Sequence, residues 1–135
     1  MSYKRNTEDV TEIVGDMTGV DDIAVDWVHD NIYWTDSTRL TISASSVDGD
    51  AGVVDVVSQS LYNPQSILVF PSRYFLFWTD VGDEPKIERS RLDGEERMTV
   101  VKEAIIWPTG ISVDGVKERL YWLHSVTSSD FSFSE

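Results

Sequence analysis

Tyr33-Trp34-Thr35-Asp36, Phe77-Trp78-Thr79-Asp80 and Tyr121-Trp122-Leu123-His124 recur along this 135-residue chain with their tryptophans 44 residues apart, twice over. Other positions keep the same register. Pro64 and Pro108 are 44 apart, with Val20 where a preceding proline would fall, and Asp26 and Asp114 flank Phe70 in one column. The turns Asp48-Gly49 and Asp93-Gly94 are 45 apart, so the second unit carries one extra residue, which the longer loop Val81-Gly82-Asp83-Glu84-Pro85 accommodates. A fixed period in the range of roughly 40 to 50 residues marks a repeat architecture, in which one supersecondary unit is copied along the chain.

Between these markers the apolar residues alternate over short runs bounded by Gly, Pro, Asp and Ser, the period of two that half-buried strands produce. In the second unit this predicts strands at Gln65 to Phe70, Tyr74 to Thr79, Ile87 to Leu92 and Met98 to Lys102. In the first unit it predicts Asp22 to Asp26, Asn31 to Thr35, Thr41 to Val47 and Val53 to Ser58. Such a four-stranded meander cannot bury both of its faces alone, and repetition around a ring solves that problem, as in a β-propeller. Val10 to Gly15 aligns with Val54 to Gln59 and Met98 to Glu103, so the chain is expected to begin on the last strand of a preceding unit. After His124 the pattern lapses into a Ser-rich stretch. The expected organisation is an N-terminal flank at 1–9, propeller repeats at 10–124 and an atypical tail at 125–135.

Composition narrows the function. With 41% hydrophobic and 11% aromatic residues the chain is globular in character. Its 24 acidic residues against 11 basic ones leave a net charge of -13, which opposes a phosphate backbone and excludes nucleic acid as the expected partner. The absence of cysteine excludes disulfides, thiolate metal sites and cysteine nucleophiles. No apolar run reaches the ~18 residues of a membrane span, so direct membrane insertion of this segment is not expected. The first twenty residues lack the apolar stretch of a signal peptide.

The triple motif, together with Phe77 to Asp80, Pro85-Lys86-Ile87-Glu88-Arg89, Leu92-Asp93-Gly94 and Trp107-Pro108-Thr109-Gly110, resembles the class B (YWTD) repeat of low-density lipoprotein receptors over Val10 to His124. The resemblance implies an all-β, partial six-bladed propeller of about two complete four-stranded blades plus flanking half-blades, since six repeats at this spacing need about 260 residues. It also implies the extracellular part of a plasma-membrane receptor, used in endocytosis or Wnt co-reception, with neighbouring blades and epidermal-growth-factor-like modules in a longer parent chain. Ligand binding and release, without catalysis or a cofactor, is the implied activity. Phe70 replaces the family's Asp, Val20 its proline, Thr109 its frequent Asn, and Leu123-His124 its Thr-Asp, so the third blade departs furthest.

The motif also has a reading in its own right. Alternation places Tyr33 and Trp34, Phe77 and Trp78, and Tyr121 and Trp122 on opposite faces of a strand, where each can pack on a neighbouring blade. Thr35, Asp36, Thr79 and Asp80 then serve hydrogen bonding at strand ends and between blades. No serine sits in a Gly-x-Ser-x-Gly elbow, the acidic pairs lack a calcium-loop pattern, and His29 and His124 have no metal-ligand spacing, so no metal is expected. His29 reads as a solvated turn residue. Lys86, Arg89, Arg91 and Arg97 read as a blade edge paired with Glu88, Glu95 or Glu96. Two other classes stay open: a six-bladed metal-dependent lactonase or esterase, and an intracellular scaffold of WD-repeat type.

In a repeated meander, the loops from second to third strand and from fourth strand to the next blade share one face. That face is expected to carry Asp36 to Arg39, Asp80 to Glu84, Met17, Thr18, Leu61 to Pro64 and Ile106 to Thr109. Tyr62, Asn63, Asp83, Glu84, Trp107 and Thr109 are the candidate ligand contacts, because exposed aromatics among carboxylates suit a protein or peptide with basic groups.

Overall fold

A computed structural model describes residues 19–49, 52–103, 105, 108 and 110–123, and the backbone of 128–132. Strands β1 (Val20–Asp26), β2 (Asn31–Asp36), β3 (Thr41–Ser46) and β4 (Val53–Val57) form one sheet. Strands β5 (Pro64–Phe70), β6 (Phe75–Asp80), β7 (Lys86–Arg91) and β8 (Met98–Val101) form a second. Strands β9 (Gly110–Asp114), β10 (Arg119–Leu123) and β11 (Ser128–Ser132) form a third. Each sheet is an antiparallel meander in sequence order. The first strands meet across sheets, β1 against β5 and β5 against β9, so the sheets stand as blades around a common inner edge. The architecture is all-β, a partial propeller.

The strands fall within about two residues of their expected bounds, as pattern reading allows. Strand pairing runs further than the pattern does. Ser128–Ser132 lies in the Ser-rich stretch and pairs with β10 from Leu123↔Ser128 to Arg119↔Ser132. Ladder hydrogen bonds are made by backbone, which needs no apolar alternation to form them. The strand expected at Val10 to Gly15 lies outside the described residues.

The turn from first to second strand keeps one shape through two chemistries. Asp26 Oδ1 accepts the N–H of Val28 and His29 (3.0 and 3.1 Å), and Asp114 Oδ1 accepts those of Val116 and Lys117 (3.0 and 3.2 Å). Phe70 has no such acceptor, and there Pro71–Arg73 winds into a 3-10 turn begun by the fixed φ of proline. All three turns end on a left-handed residue, Asp30, Tyr74 and Glu118, with φ of 59, 61 and 53°.

Among the described residues, two cores lie between blades. Tyr33, Ile42, Val57 and Leu61 pack with Ile67, Val69, Leu76, Trp78 and Leu92, and Phe77 and Ile87 pack with Ile105, Leu120 and Trp122. In β6, Trp78 therefore faces the first blade and Phe77 the third, as alternation along a strand requires. Polar groups stitch the first junction. Tyr33 Oη donates to the Leu92 carbonyl (3.1 Å), Thr35 Oγ1 to the Gln65 carbonyl (2.6 Å), and the Ile67 N–H to Asp22 Oδ2 (3.0 Å).

Candidate ligand-binding face

The connections after β2 and β6 and the segment leading into β5 lie at one end of the blades. The organising group there is Asp80, almost fully buried at the end of β6. Its Oδ2 accepts the Tyr62 N–H (3.0 Å), and its Oδ1 accepts those of Asn63 (2.7 Å) and Gly82 (3.3 Å). The Val81 N–H donates to the Asn63 carbonyl (2.9 Å), closing the same corner. One carboxylate thus clamps two loops, and the N–H groups it takes need no water.

The clamp presents Tyr62 outward. The residue is 64% exposed, beside a hollow of 320 Å³ lined by Tyr62, Asp83, Glu84 and Lys86. Lys86 Nζ stands 5.1 Å from the ring centroid, within range for a cation over an aromatic face. Gly82 is needed beneath it, because a Cβ there would sit 2.6 Å from Tyr62 Cβ. Asn63 is half-buried and acts through its backbone in the clamp. Val81 and Leu61, although on the expected face by sequence, are buried. Trp107 and Thr109 lie outside the described residues, as do Met17, Thr18 and His124.

The first blade repeats the acid. Asp36 Oδ1 accepts the N–H groups of Thr38 and Arg39, each at 2.9 Å, and Ser37 N–H reaches the Gly19 carbonyl at 2.9 Å. Gly19 takes φ +85 and has no room for a side chain beside Thr38 and Asp36.

The motif residues are packed. Tyr33, Trp34, Thr35, Asp36, Phe77, Trp78, Thr79, Asp80 and Trp122 are all buried, whereas Tyr121 is exposed. Thr79 Oγ1 accepts the Ser66 N–H (2.9 Å) where the β5–β6 ladder shifts register between Pro64 and Ile67.

The basic run divides. Arg97 pairs with Glu88 (2.7 Å) and donates to the carbonyls of Gln59 (2.5 Å) and Ser60 (2.9 Å), tying the segment between blades to the second blade. Arg89 lies 4.3 Å from the Phe75 ring centroid and donates to Met98 Sδ (2.9 Å), and Arg91 lies 4.7 Å from the Tyr74 ring centroid, so each stands over a ring of its own blade. Burial lowers the Arg89 pKa, with Glu96 opposing and Arg73 assisting. His29 is more than a solvated turn residue. Its Nδ1 is 2.7 Å from Asp26 Oδ2, and its ring meets Tyr74 of the next blade edge-on at 5.7 Å.

Sequence reasoning missed a second hollow at the opposite end, of 570 Å³, whose lining includes Val25, Trp27, Val28, Phe70 and Pro71. The available signal was Trp27, an aromatic that stands outside the tryptophan column. Among the described residues, no group of three or more His, Cys, Asp or Glu side chains is placed to hold a metal ion.

Comparison with known proteins finds relatives in sequence and in fold. The family model of the low-density lipoprotein receptor repeat class B matches residues 74–114. The vitellogenin receptor Yl of Drosophila melanogaster is 38% identical over 109 residues, covering 81% of this chain and 5% of that protein. The low-density lipoprotein receptor-related protein 8 of Gallus gallus is 42% identical over 129 residues, 93% of this chain and 14% of that protein. The chain thus spans a small part of these relatives. Among solved structures, a chain of the nidogen/laminin complex overlays with a TM-score of 0.85 at 31% identity, covering 90% of this chain and 48% of that one. A gluconolactonase from Xanthomonas campestris overlays at 0.72 and 17% identity, covering 86% and 45%, a likeness of fold alone.

Proposed function

Because the chain belongs to the low-density lipoprotein receptor class B repeat family, we propose that it is a non-catalytic ligand-binding module in the extracellular part of a plasma-membrane receptor, endocytic or Wnt co-receptor in kind. Its ligand is a protein or peptide that offers a basic side chain. The observation that carries this reading is Tyr62, an exposed ring clamped from below by Asp80 and set beside Asp83 and Glu84.

The physical argument runs through Lys86. An ammonium already sits over the Tyr62 ring, so the site has the chemistry to take a Lys or Arg of a ligand. Asp83 and Glu84, on a chain of net charge -13, add negative potential that speeds the encounter with such a group. By repeat register alone Trp107 and Thr109 are further proposed ligand contacts, and the parent chain supplies the neighbouring blades and epidermal-growth-factor-like modules. The relatives named as receptors and the nidogen chain crystallised in a complex with laminin support a protein-binding role.

The test is selection of a random displayed peptide library on the chain. Enrichment of peptides with Lys or Arg, competed by salt, is the expected result. Enrichment of acidic or uncharged peptides indifferent to salt contradicts the reading.

A further inference from the structure

The segment that carries Tyr62 is held on both sides of Leu61 by charges of the second blade. On one side Asp80 takes the N–H groups of Tyr62 and Asn63. On the other, Arg97 Nη1 donates to the Gln59 carbonyl (2.5 Å) and Nη2 to the Ser60 carbonyl (2.9 Å). An anion thus grips the donors of the segment and a cation its acceptors. Between the two grips the Leu61 side chain is buried in the core. Ser60 takes a φ of 56°, a left-handed turn disfavoured for a residue with a Cβ, and the bond from Arg97 falls on its carbonyl. Arg97 is itself fixed. Its Nε and Nη2 donate to Oε1 of the buried Glu88 (2.9 and 2.7 Å), and Thr99 Oγ1 donates to Glu88 Oε2 (3.1 Å). The guanidinium also stands 5.5 Å from the Trp78 ring centroid. Its planar fork reaches Glu88, Gln59 and Ser60 together, in fixed directions that a lysine ammonium cannot match.

We infer that Arg97 is a positioning residue for the Tyr62 site: it contacts no ligand, and its fork fixes where the Tyr62 ring stands relative to Asp83, Glu84 and Lys86. The inference rests on the reading of Tyr62 as the ligand anchor. Asp83, Glu84 and Lys86 lie on the same blade as Asp80 and Arg97, whereas Tyr62 lies on the connection that enters it. Strapping that connection to the second blade brings the ring into the frame of its neighbours. A ring placed in advance loses less freedom when a ligand binds, which raises affinity without any new contact.

The Tyr62 ring reports its own position, because its ring current shifts the ε-methylene protons of Lys86 upfield while the ammonium stands over it. Nuclear magnetic resonance of the intact chain reads that shift, with Tyr62→Ala setting its zero. Arg97→Lys keeps a charge beside Glu88 but loses the fork, and is expected to lose most of the shift with an unchanged β circular dichroism spectrum. Arg97→Gln combined with Glu88→Gln, which strands no buried charge, is expected to do the same. Thr99→Val weakens the same network without touching Gln59 or Ser60, and is expected to keep the shift. In titration with a Lys- or Arg-containing peptide selected on wild type, Arg97→Lys is expected to bind about fivefold more weakly, the scale of ordering one more side chain on binding. Faster dissociation is expected to account for the loss, since the net charge that steers association is unchanged. A shift retained in both Arg97 variants, or lost equally in Thr99→Val, overturns the inference. A shift lost while the peptide still binds as wild type supports the strap and overturns the reading of Tyr62 as the anchor.

Discussion

The Tyr62 N–H donates to Asp80 Oδ2 at 3.0 Å across 18 residues of sequence, and this bond joins the end of a motif strand to the base of the exposed ring. The acid of the motif is thus structural, and its consequence for binding is indirect: it decides where Tyr62 stands.

Asp80→Ala removes the acceptor of three backbone N–H groups, those of Tyr62, Asn63 and Gly82. Hydrogen bonds to a charged acceptor contribute about 1.5 to 3 kcal/mol each, and buried donors left unpaired add their desolvation cost. The two shorter bonds, at 3.0 and 2.7 Å, set the scale, so a loss of about 3 kcal/mol or more in denaturant unfolding is expected. Asp36→Ala frees two N–H groups in a solvated turn, those of Thr38 and Arg39, and is expected to cost about 1 kcal/mol. Equal losses from the two substitutions would contradict the clamp.

Much of this fold was legible because each strand is bracketed by residues whose backbone chemistry stops it. Asp48-Gly49 and Asp93-Gly94 end β3 and β7 within a residue or two of where alternation stops. The opposite facing of Phe77 and Trp78 followed from the pleat alone. What could not be read was proximity without a pattern. Lys86 lies over Tyr62 because β7 starts beside the segment that enters β5, a relation that exists only once the blade is built. The Phe70 turn was visible as a departure, but its replacement by a proline-led 3-10 turn depended on local backbone geometry. Acids surround Arg89 and Arg91 in the sequence, but the aromatic rings that stand under them in the fold are set by the strand register, which the sequence pattern does not show.

Lys86→Met keeps the length of the side chain and vacates the cationic position over the Tyr62 ring. A basic ligand then meets one fewer like charge and an open aromatic face, so its affinity is expected to rise a few-fold, on the order of 0.5 to 1 kcal/mol. Gly82→Ala is expected to lower it, since the new Cβ would stand 2.6 Å from Tyr62 Cβ and displace the ring. Calorimetric titration with a selected peptide reads both. Weaker binding by Lys86→Met would show that Lys86 contacts the ligand itself.

Burial, with Asp26, Tyr74 and Asp93 around it, pushes the Tyr33 pKa from 10.0 up to about 12. A pKa raised on folding contributes stability that is complete below the unfolded value and lost as pH climbs through the folded one. Between pH 10 and about 12 the unfolded chain therefore ionises first, and stability falls. Tyr33→Phe is expected to cost about 1 kcal/mol at neutral pH, through the lost bond to the Leu92 carbonyl. Its stability should decline less than wild type over that alkaline range. Parallel pH profiles for the two proteins would rule out this assignment.

The central claim is that Tyr62 anchors a basic ligand, and the most direct measurement is the affinity of one selected Lys- or Arg-containing peptide for wild type and Tyr62→Ala at two salt concentrations. With Tyr62 64% exposed, truncation of its ring is expected to leave the melting temperature nearly unchanged while weakening binding about tenfold, the ~1.4 kcal/mol of a moderate anchor contact. Wild-type association is expected to slow as salt screens Asp83 and Glu84. An affinity unchanged by Tyr62→Ala, or a variant that binds normally per folded molecule but melts far lower, would contradict the account.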